Sequence, residues 1–178
     1  MTFDFTAEQH ALIAQAATLT ALPAKALDAV LVAEERARHA SVADVQFGFE
    51  DEPNPLRARL IAAAAAIGIG RAAVAHALAF MKANGVKPGP DATVPHWAFA
   101  DGATEVEAAR LLTYSAAQAV DRGEPSETLI ARVLEFAARA AQHAVDAAIR
   151  VEGAAGYSKG SVLERLARDA RTLQVILR

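Results

Sequence analysis

Five histidines (His10, His39, His76, His96 and His143) and no cysteine are the stock of metal ligands and bases in this 178-residue chain. A dinuclear metal centre in a helical bundle needs two E-x-x-H pairs on facing helices, because side chains at i and i+3 point the same way into the core. No glutamate here is followed by histidine three residues later, and His143-x-x-Asp146 is a single, reversed instance. No metal is therefore expected. The lack of cysteine removes disulfides, thiolate nucleophiles and Cys-type zinc sites together. The histidines are scattered one to a segment, and no Ser-His-Asp arrangement can be argued from them. Gly68-x-Gly70 lies within an apolar helical run rather than after a strand, so it is not a dinucleotide loop. One stretch stands apart. Gly153-Ala154-Ala155-Gly156-Tyr157-Ser158 leads into Leu163-Glu164-Arg165-Leu166-Ala167-Arg168-Asp169-Ala170-Arg171, a glycine-punctuated loop opening on a helix with ordered charges.

The elements that position these residues are all helical. The composition, 53% hydrophobic and 22% charged with many alanines, suits an ordinary folded helical protein. A net charge of -3 argues against an extended nucleic-acid surface. Thr6-Ala7-Glu8-Gln9 has the form of a capping box with Phe5 as staple, and predicts a helix to about Leu19. Pro23 suits a first turn, with a second helix over residues 24–38 that sets Leu27, Val30 and Leu31 on one side. Ser41 to Pro53, with Gly48 and the acidic run Glu50-Asp51-Glu52, reads as a linker. Asn54-Pro55 is an N-cap followed by proline at N1. The run it opens, to about Lys82, places Ile61, Ala65, Gly68, Ala72, Ala75 and Ala79 near one face. Its segment Ile61 to Met81 is the most membrane-like in the chain. Arg71, His76 and the alanine-glycine content favour a buried helix over a membrane span.

Asn84-Gly85 and Pro88-Gly89-Pro90 break the chain, and Thr93 with Pro95 starts a helix that Gly123 ends. The next helix starts at Pro125. Leu129, Val133, Phe136, Ala140, Ala144 and Ala147 step along one of its faces. Ser161 to Glu164 is a second capping box, and Glu164 stands four residues before Arg168. The expected fold is all-α: an antiparallel four-helix bundle over 53–178, preceded by short helices and a linker in 1–52. The N-terminus has neither a basic n-region nor an apolar h-region, so a cytoplasmic location is the expectation.

The glycine loop and the helix after it resemble the C-terminal helical domain of the acyl-CoA dehydrogenase family, in which Q-x-x-G-G-x-G-Y precedes V-E-R-L-x-R-D-A-R. Residues 59–72, from Arg59-Leu60 to Gly70-Arg71-Ala72, are similar to that family's R-x-x-x-A-A-x-A-x-G-x-A-x-x-A segment. Ala100-Asp101-Gly102-Ala103-Thr104-Glu105-Val106-Glu107-Ala108-Ala109-Arg110-Leu111-Leu112-Thr113-Tyr114 looks like its L-A-D-M-A-T-E-L-E-A-A-R-L-L-T-Y. Phe3 to Leu12 matches its opening F-x-x-T-x-E-Q-x-x-L. Ala33-Glu34-Glu35-Arg36-Ala37-Arg38 resembles a helix of its N-terminal domain, with an E-E-x-x-R spacing common on solvated faces.

The resemblance implies a chemistry: oxidation of the Cα–Cβ bond of an acyl-CoA, a glutamate taking the α-proton while hydride leaves to FAD. Carried over by position, it assigns cofactor contacts to Lys82, Arg150, Gly153, Ala154 and Gly156, and a place near CoA to Arg59. It also exposes departures. The R-x-x-F-G turn aligns with Lys82-Ala83-Asn84-Gly85-Val86, losing the arginine fork and the aromatic. Arg150 stands for the glutamine and Ala154 for the second glycine. Ala58 occupies one known position of the glutamate base, the chain stops at Leu177-Arg178 before the other, and no catalytic residue is assigned. Glu105 and Glu107, the remaining candidates for a base, already match the family's T-E-L-E helix. No strand-like segment for the family's central β domain stands between Arg38 and Asn54. The expectation is a shortened relative that pairs with a full-length dehydrogenase or forms a homo-oligomer, with FAD and acyl-CoA as the implied ligands. The alternative is an assembly module that has lost flavin.

Overall fold

The computed structural model describes residues 4–19, 21–41, 52–86 and 94–176. Phe3 of the opening motif, linker residues 42–51, Pro88-Gly89-Pro90 with Thr93, and Leu177-Arg178 lie outside them. Six α-helices account for the architecture among the described residues, with no strand: α1 (Ala7–Gln15), α2 (Ala26–His39), α3 (Pro55–Ala83), α4 (Val94–Asp121), α5 (Glu127–Glu152) and α6 (Val162–Ile176). The last four form the antiparallel bundle, and α1 and α2 pack against it.

Local chemistry sets most boundaries where the sequence puts them. Thr6 and Gln9 make the full reciprocal capping box. Asn54 accepts from the amides of Leu56 and Arg57, with Pro55 at the first helical position. At Ser161 only half of the second box forms. Its hydroxyl accepts from Glu164 N at 3.0 Å, while the Glu164 carboxylate turns to Arg168 instead. The first helix stops at Gln15, short of the expected Leu19: the amides of Ala16 and Thr18 bond three residues back to Ile13 and Gln15, and the Arg36 guanidinium donates to the carbonyls of Ala16 and Leu19.

The second helix starts at Ala26 rather than Ala24, for a reason that comes from far along the chain. Asp121, the last residue of α4, accepts from Ala26 N at 2.6 Å and Leu27 N at 3.0 Å, capping α2 in trans. A carboxylate at a helix C-terminus is unfavourable for its own helix, so its gain comes from α2. Asp121→Ala is expected to lower stability by about 1 kcal/mol in urea titrations, with Asp121→Asn retaining most of it. Equal midpoints for the alanine variant and the parent would sink this role.

Two sequence expectations about faces need correction. Every residue of α3 from Leu60 to Gly70 is buried, not one stripe of it, because α2, α4, α5 and α6 all pack on this helix. Beyond Arg71 the helix emerges, and Ala75 and Ala79 are exposed. On α5, Val133, Ala140, Ala144 and Ala147 are buried as expected, whereas Leu129 is exposed and Phe136 is half-buried with the Arg139 guanidinium over its ring. By length and composition α3 would cross a membrane, but 72% of its most apolar window is buried among the other helices.

Close approach depends on glycine at three crossings. A Cβ on Gly68 would lie 2.2 Å from the Glu34 carbonyl oxygen of α2, one on Gly70 2.8 Å from Val106, and one on Gly102 3.1 Å from the Ala144 backbone. Gly68-x-Gly70 is thus a helix-packing device, placed by α2 on one side and by α4 and α5 on the other.

Candidate functional site

The glycine loop closes on itself. Gly153 caps α5 at φ +72°, and its amide donates to Ile149 O. The amides of Gly156, Tyr157 and Ser158 then donate to the carbonyls of Gly153, Ala154 and Ala155. Ala154 and Ala155 are exposed, and Gly156 is buried with Glu152 and Leu163 filling the space a side chain would need. At the end of α3 the turn Lys82-Ala83-Asn84-Gly85-Val86 is built the same way. The amides of Asn84, Gly85 and Val86 go to the carbonyls of Phe80, Lys82 and Met81, and Gly85 has φ +67°.

These two turns share one end of the bundle, tied by His76 on α3 and Glu152 on α5 at 3.3 Å. Lys82, Arg150, Gly153, Ala154 and Gly156 are therefore brought to one end. Lys82 and Arg150 are exposed. Arg59 is not with them: it lies about 35 Å away along α3 at 1.5 Å per residue. There it lines a groove of about 490 Å³ with Leu134, Glu135, Arg139 and Gln174. Ala58, beside it, is half-buried and offers no proton acceptor.

The densest polar constellation is one the sequence pattern assigned to a solvated face. Glu35 is half-buried and paired with Arg38 and His39. Burial raises its carboxyl, but the hydrogen bonds from Arg38 and His39 outweigh that and hold it below its ordinary value. Glu34, one residue earlier, points inward and is 2% exposed. Its carboxylate takes hydrogen bonds from Arg71 of α3 and, on α4, from Arg110 Nε at 2.9 Å and the Tyr114 hydroxyl. Glu107 closes the cluster onto Arg110 at 3.3 Å, and Phe5 covers Tyr114 edge-on at 5.5 Å.

Burial, then the Glu34 carboxylate, pushes the Tyr114 phenol far above its ordinary value. Burial alone would lower Arg110, but Glu34, Tyr114 and Glu107 together hold it well above. Every member is satisfied within the cluster, so it acts as a clamp of α2 on α3 and α4 rather than a reactive centre. The usable sequence signal was the step Leu27, Val30, Glu34, Ala37, which puts Glu34 on the apolar face of α2.

The other candidate groups are also paired. His143 Nδ1 lies 2.8 Å from Glu105 across α5 and α4, so Glu105 and Glu107 both serve interhelical contacts. Asp169, 3% exposed, accepts from Ser41 at 2.8 Å and pairs with Arg165, while Arg168 pairs with Glu164. Among the described residues no group of three or more His, Asp or Glu could hold a metal ion.

Residues 56–176, which span α3 to α6, match the family described as "Acyl-CoA dehydrogenase, C-terminal domain". This chain belongs to the acyl-CoA dehydrogenase family. It is 38% identical over 119 residues to an acyl-CoA dehydrogenase of Bacillus subtilis, covering 66% of this chain and 31% of that one. The solved glutaryl-coenzyme A dehydrogenase in its glutaryl-CoA complex is 30% identical, with a TM-score of 0.60 over 68% of this chain and 32% of that one. The fold of butyryl-CoA dehydrogenase from Megasphaera elsdenii matches at TM-score 0.58 and 24% identity, over 84% of this chain and 34% of that one. Since 56–176 is about two thirds of the chain, that last alignment takes in residues before Leu56 as well. The chain spans about a third of the length of each of these relatives.

Members of the acyl-CoA dehydrogenase family use FAD, and the two turns at the Lys82–Arg150 end are where the resemblance would place it. The residues present do not make a self-contained flavin site. The amides of Asn84, Gly85, Val86, Gly156, Tyr157 and Ser158 are spent on carbonyls of their own turns, so these six offer no cradle of N–H donors for a diphosphate. This end of the bundle also carries the exposed cations Lys82, Arg150 and Lys159 and a largely buried carboxylate, Glu152, paired with His76.

Proposed function

We propose that this chain is a helical subunit that works beside a three-domain, flavin-bearing acyl-CoA dehydrogenase rather than as a complete dehydrogenase. The observation that carries this reading lies inside the chain: α2 and α3 are joined through residues 40–54 alone, where the family resemblance calls for a β domain to cover flavin and acyl-CoA. Two further features support it. Ala58 stands where one form of the family carries its base, and Glu105 and Glu107 are committed to His143, Arg71 and Arg110. On this reading the bundle supplies packing surface, and the partner supplies the carboxylate and most of the flavin site. A second reading, a homo-oligomeric assembly module without flavin, is favoured by the self-satisfied turns alone.

The test is co-expression with a three-domain acyl-CoA dehydrogenase of the same organism. The chain alone is expected to be colourless, and the co-purified complex to absorb near 450 nm and to bleach with an acyl-CoA. Bound FAD that this chain reduces with an acyl-CoA in the absence of any partner would overturn the proposal. A stable colourless oligomer that ignores the dehydrogenase would favour the second reading.

A further inference from the structure

The first helix is fastened to the rest of the chain at few points. It has nine residues, none of them buried, and packs on no helix but α2. A lone helix shorter than about 12 residues is marginal in water, so α1 keeps its shape only while docked. Three fastenings dock it. Phe5 lies edge-on against Tyr114, Gln9 Nε2 donates to Asp28 at 3.0 Å, and the Arg36 guanidinium donates to the carbonyls of Ala16 and Leu19. Gln9 meets Asp28 and Ala16 meets Arg36, so α1 runs parallel to α2 over the face that carries Asp28, Val32 and Arg36. Val32 marks that face. At 100° per residue it stands 200° round α2 from Val30, yet both side chains are fully buried. Val30 belongs to the core cluster and Val32 does not, so Val32 loses water on the far side of α2, where Gln9 and Ala16 meet it. Behind α1 the chain is pinned again: the Pro23 carbonyl accepts from Arg57, and the Ala26 amide donates to Asp121.

We propose that residues 4–19 are a hinged arm that leaves α2 as a unit, melting as it goes, while α2 to α6 stay folded. Arg36 is its clasp, and the hinge lies between Leu19 and the pinned Pro23. The ties on the two sides of α2 differ in kind. Toward the core, Glu34 joins α2 to Arg71, Arg110 and Tyr114 through a buried charge. Toward the arm, Arg36 gives its hydrogen bonds to two neutral carbonyls. Those carbonyls stand at the end of α1, where unpaired C=O groups and the negative end of the helix dipole favour a cation. Clasp and helix therefore form together and are lost together. The closed arm buries the strip Asp28, Val32, Arg36, which has an apolar centre and one charge of each sign at its ends. The open arm offers that strip to water or to another chain. The device is an order–disorder switch built on the N-terminal segment alone, and it does not depend on the proposed subunit role.

The chain has no cysteine, so one introduced thiol reports one site. Val32→Cys and Val30→Cys make the same small change on opposite sides of the same helix. In native buffer Val32→Cys is expected to react with an aromatic disulfide reagent roughly 100-fold faster than Val30→Cys, which is reached only when the bundle unfolds. Arg36→Ala is expected to speed labelling of Val32→Cys by roughly 10-fold, the loss of hydrogen bonds from a charged donor. Ile61→Val weakens the core and not the arm. It should speed Val30→Cys by roughly 5-fold and leave Val32→Cys within about 2-fold. Hydrogen exchange on the unmodified chain reads the same event without any substitution. The amides from His10 to Gln15 are expected to share one level of protection, roughly 100-fold below those of Ala63 to Ile67. Equal labelling of the two thiols together with equal protection of α1 and α3 overturns the inference, because the arm then opens only with the bundle. Labelling of Val32→Cys that is indifferent to Arg36→Ala overturns it too. So does protection that falls stepwise toward Ala7, which is the fraying of a helix end rather than release of a unit.

Discussion

Gly68→Ala is expected to lower the melting temperature by roughly 8 °C, the largest effect of an added methyl among the described helical glycines. The added Cβ would sit 2.2 Å from the Glu34 carbonyl oxygen and 2.8 Å from Ala37 Cβ. The first of these is backbone, so no rotamer relieves it. Helices α2 and α3 must move apart, at a cost of about 3 kcal/mol against the ~1 kcal/mol that alanine gains over glycine in a helix. Two other helical glycines serve as controls. At Gly70 the near atoms are Val106 Cγ2 at 2.8 Å and the Ala141 backbone at 3.2 Å, and at Gly102 the Ala144 backbone is 3.1 Å away, so both need smaller shifts. The expected order of damage is therefore Gly68 first, with Gly70 and Gly102 both behind it. Thermal melts that put Gly70→Ala first, or show Gly68→Ala neutral, would refute the account of how α2 docks.

How much of this was legible beforehand depends on whether the signal was local. Caps are local. Thr6 with Gln9, Asn54 with Pro55, and Gly153 each satisfy or end a helix through residues within a few positions, and all appear where the sequence placed them. Alanine faces were poorly legible, because alanine tolerates water and core alike. Ala65 and Ala75 look the same on paper, and only the number of helices packed around each decides that the first is buried and the second exposed.

Glu34 and Glu35 were indistinguishable by composition. The 100° step between neighbours on a helix sends Glu34 to the core and Glu35 to the half-buried edge beside Arg38 and His39. The trans cap from Asp121 had no sequence signal at all, since its partners lie in α2, far back in the chain. The family-derived positions were gathered by the fold only in part, five at one end of the bundle and Arg59 near the other. That separation is what a site shared between subunits or completed by another domain would leave on a single bundle.

The second large effect concerns the Glu34 clamp, and it carries a pH signature. Glu34→Ala is expected to destabilise by about 3 kcal/mol, the lower end for breaking a buried ion pair, because Arg71 and Arg110 keep some access to water. Tyr114→Phe removes one buried hydrogen bond to a charged acceptor and is expected to cost about 1.5 kcal/mol. In a double-mutant cycle Glu34→Ala and Arg110→Ala should be strongly coupled, since each charge is what makes the other tolerable in place. The alkaline limb follows from the raised Tyr114 phenol. Its unfolded value is near 10, and the folded chain keeps the proton well beyond that. Above pH 10 the unfolded state sheds the proton first, so the unfolded state binds fewer protons and stability falls as pH rises. The contribution is whole below pH 10 and lost on the way up to the folded value. In a Tyr157→Phe background, absorbance near 295 nm reports Tyr114 alone, and its phenolate should appear only together with the loss of helical circular dichroism. A phenolate that forms reversibly near pH 10 while the helices persist would mean that Tyr114 is open to solvent and that Glu34 does not hold it.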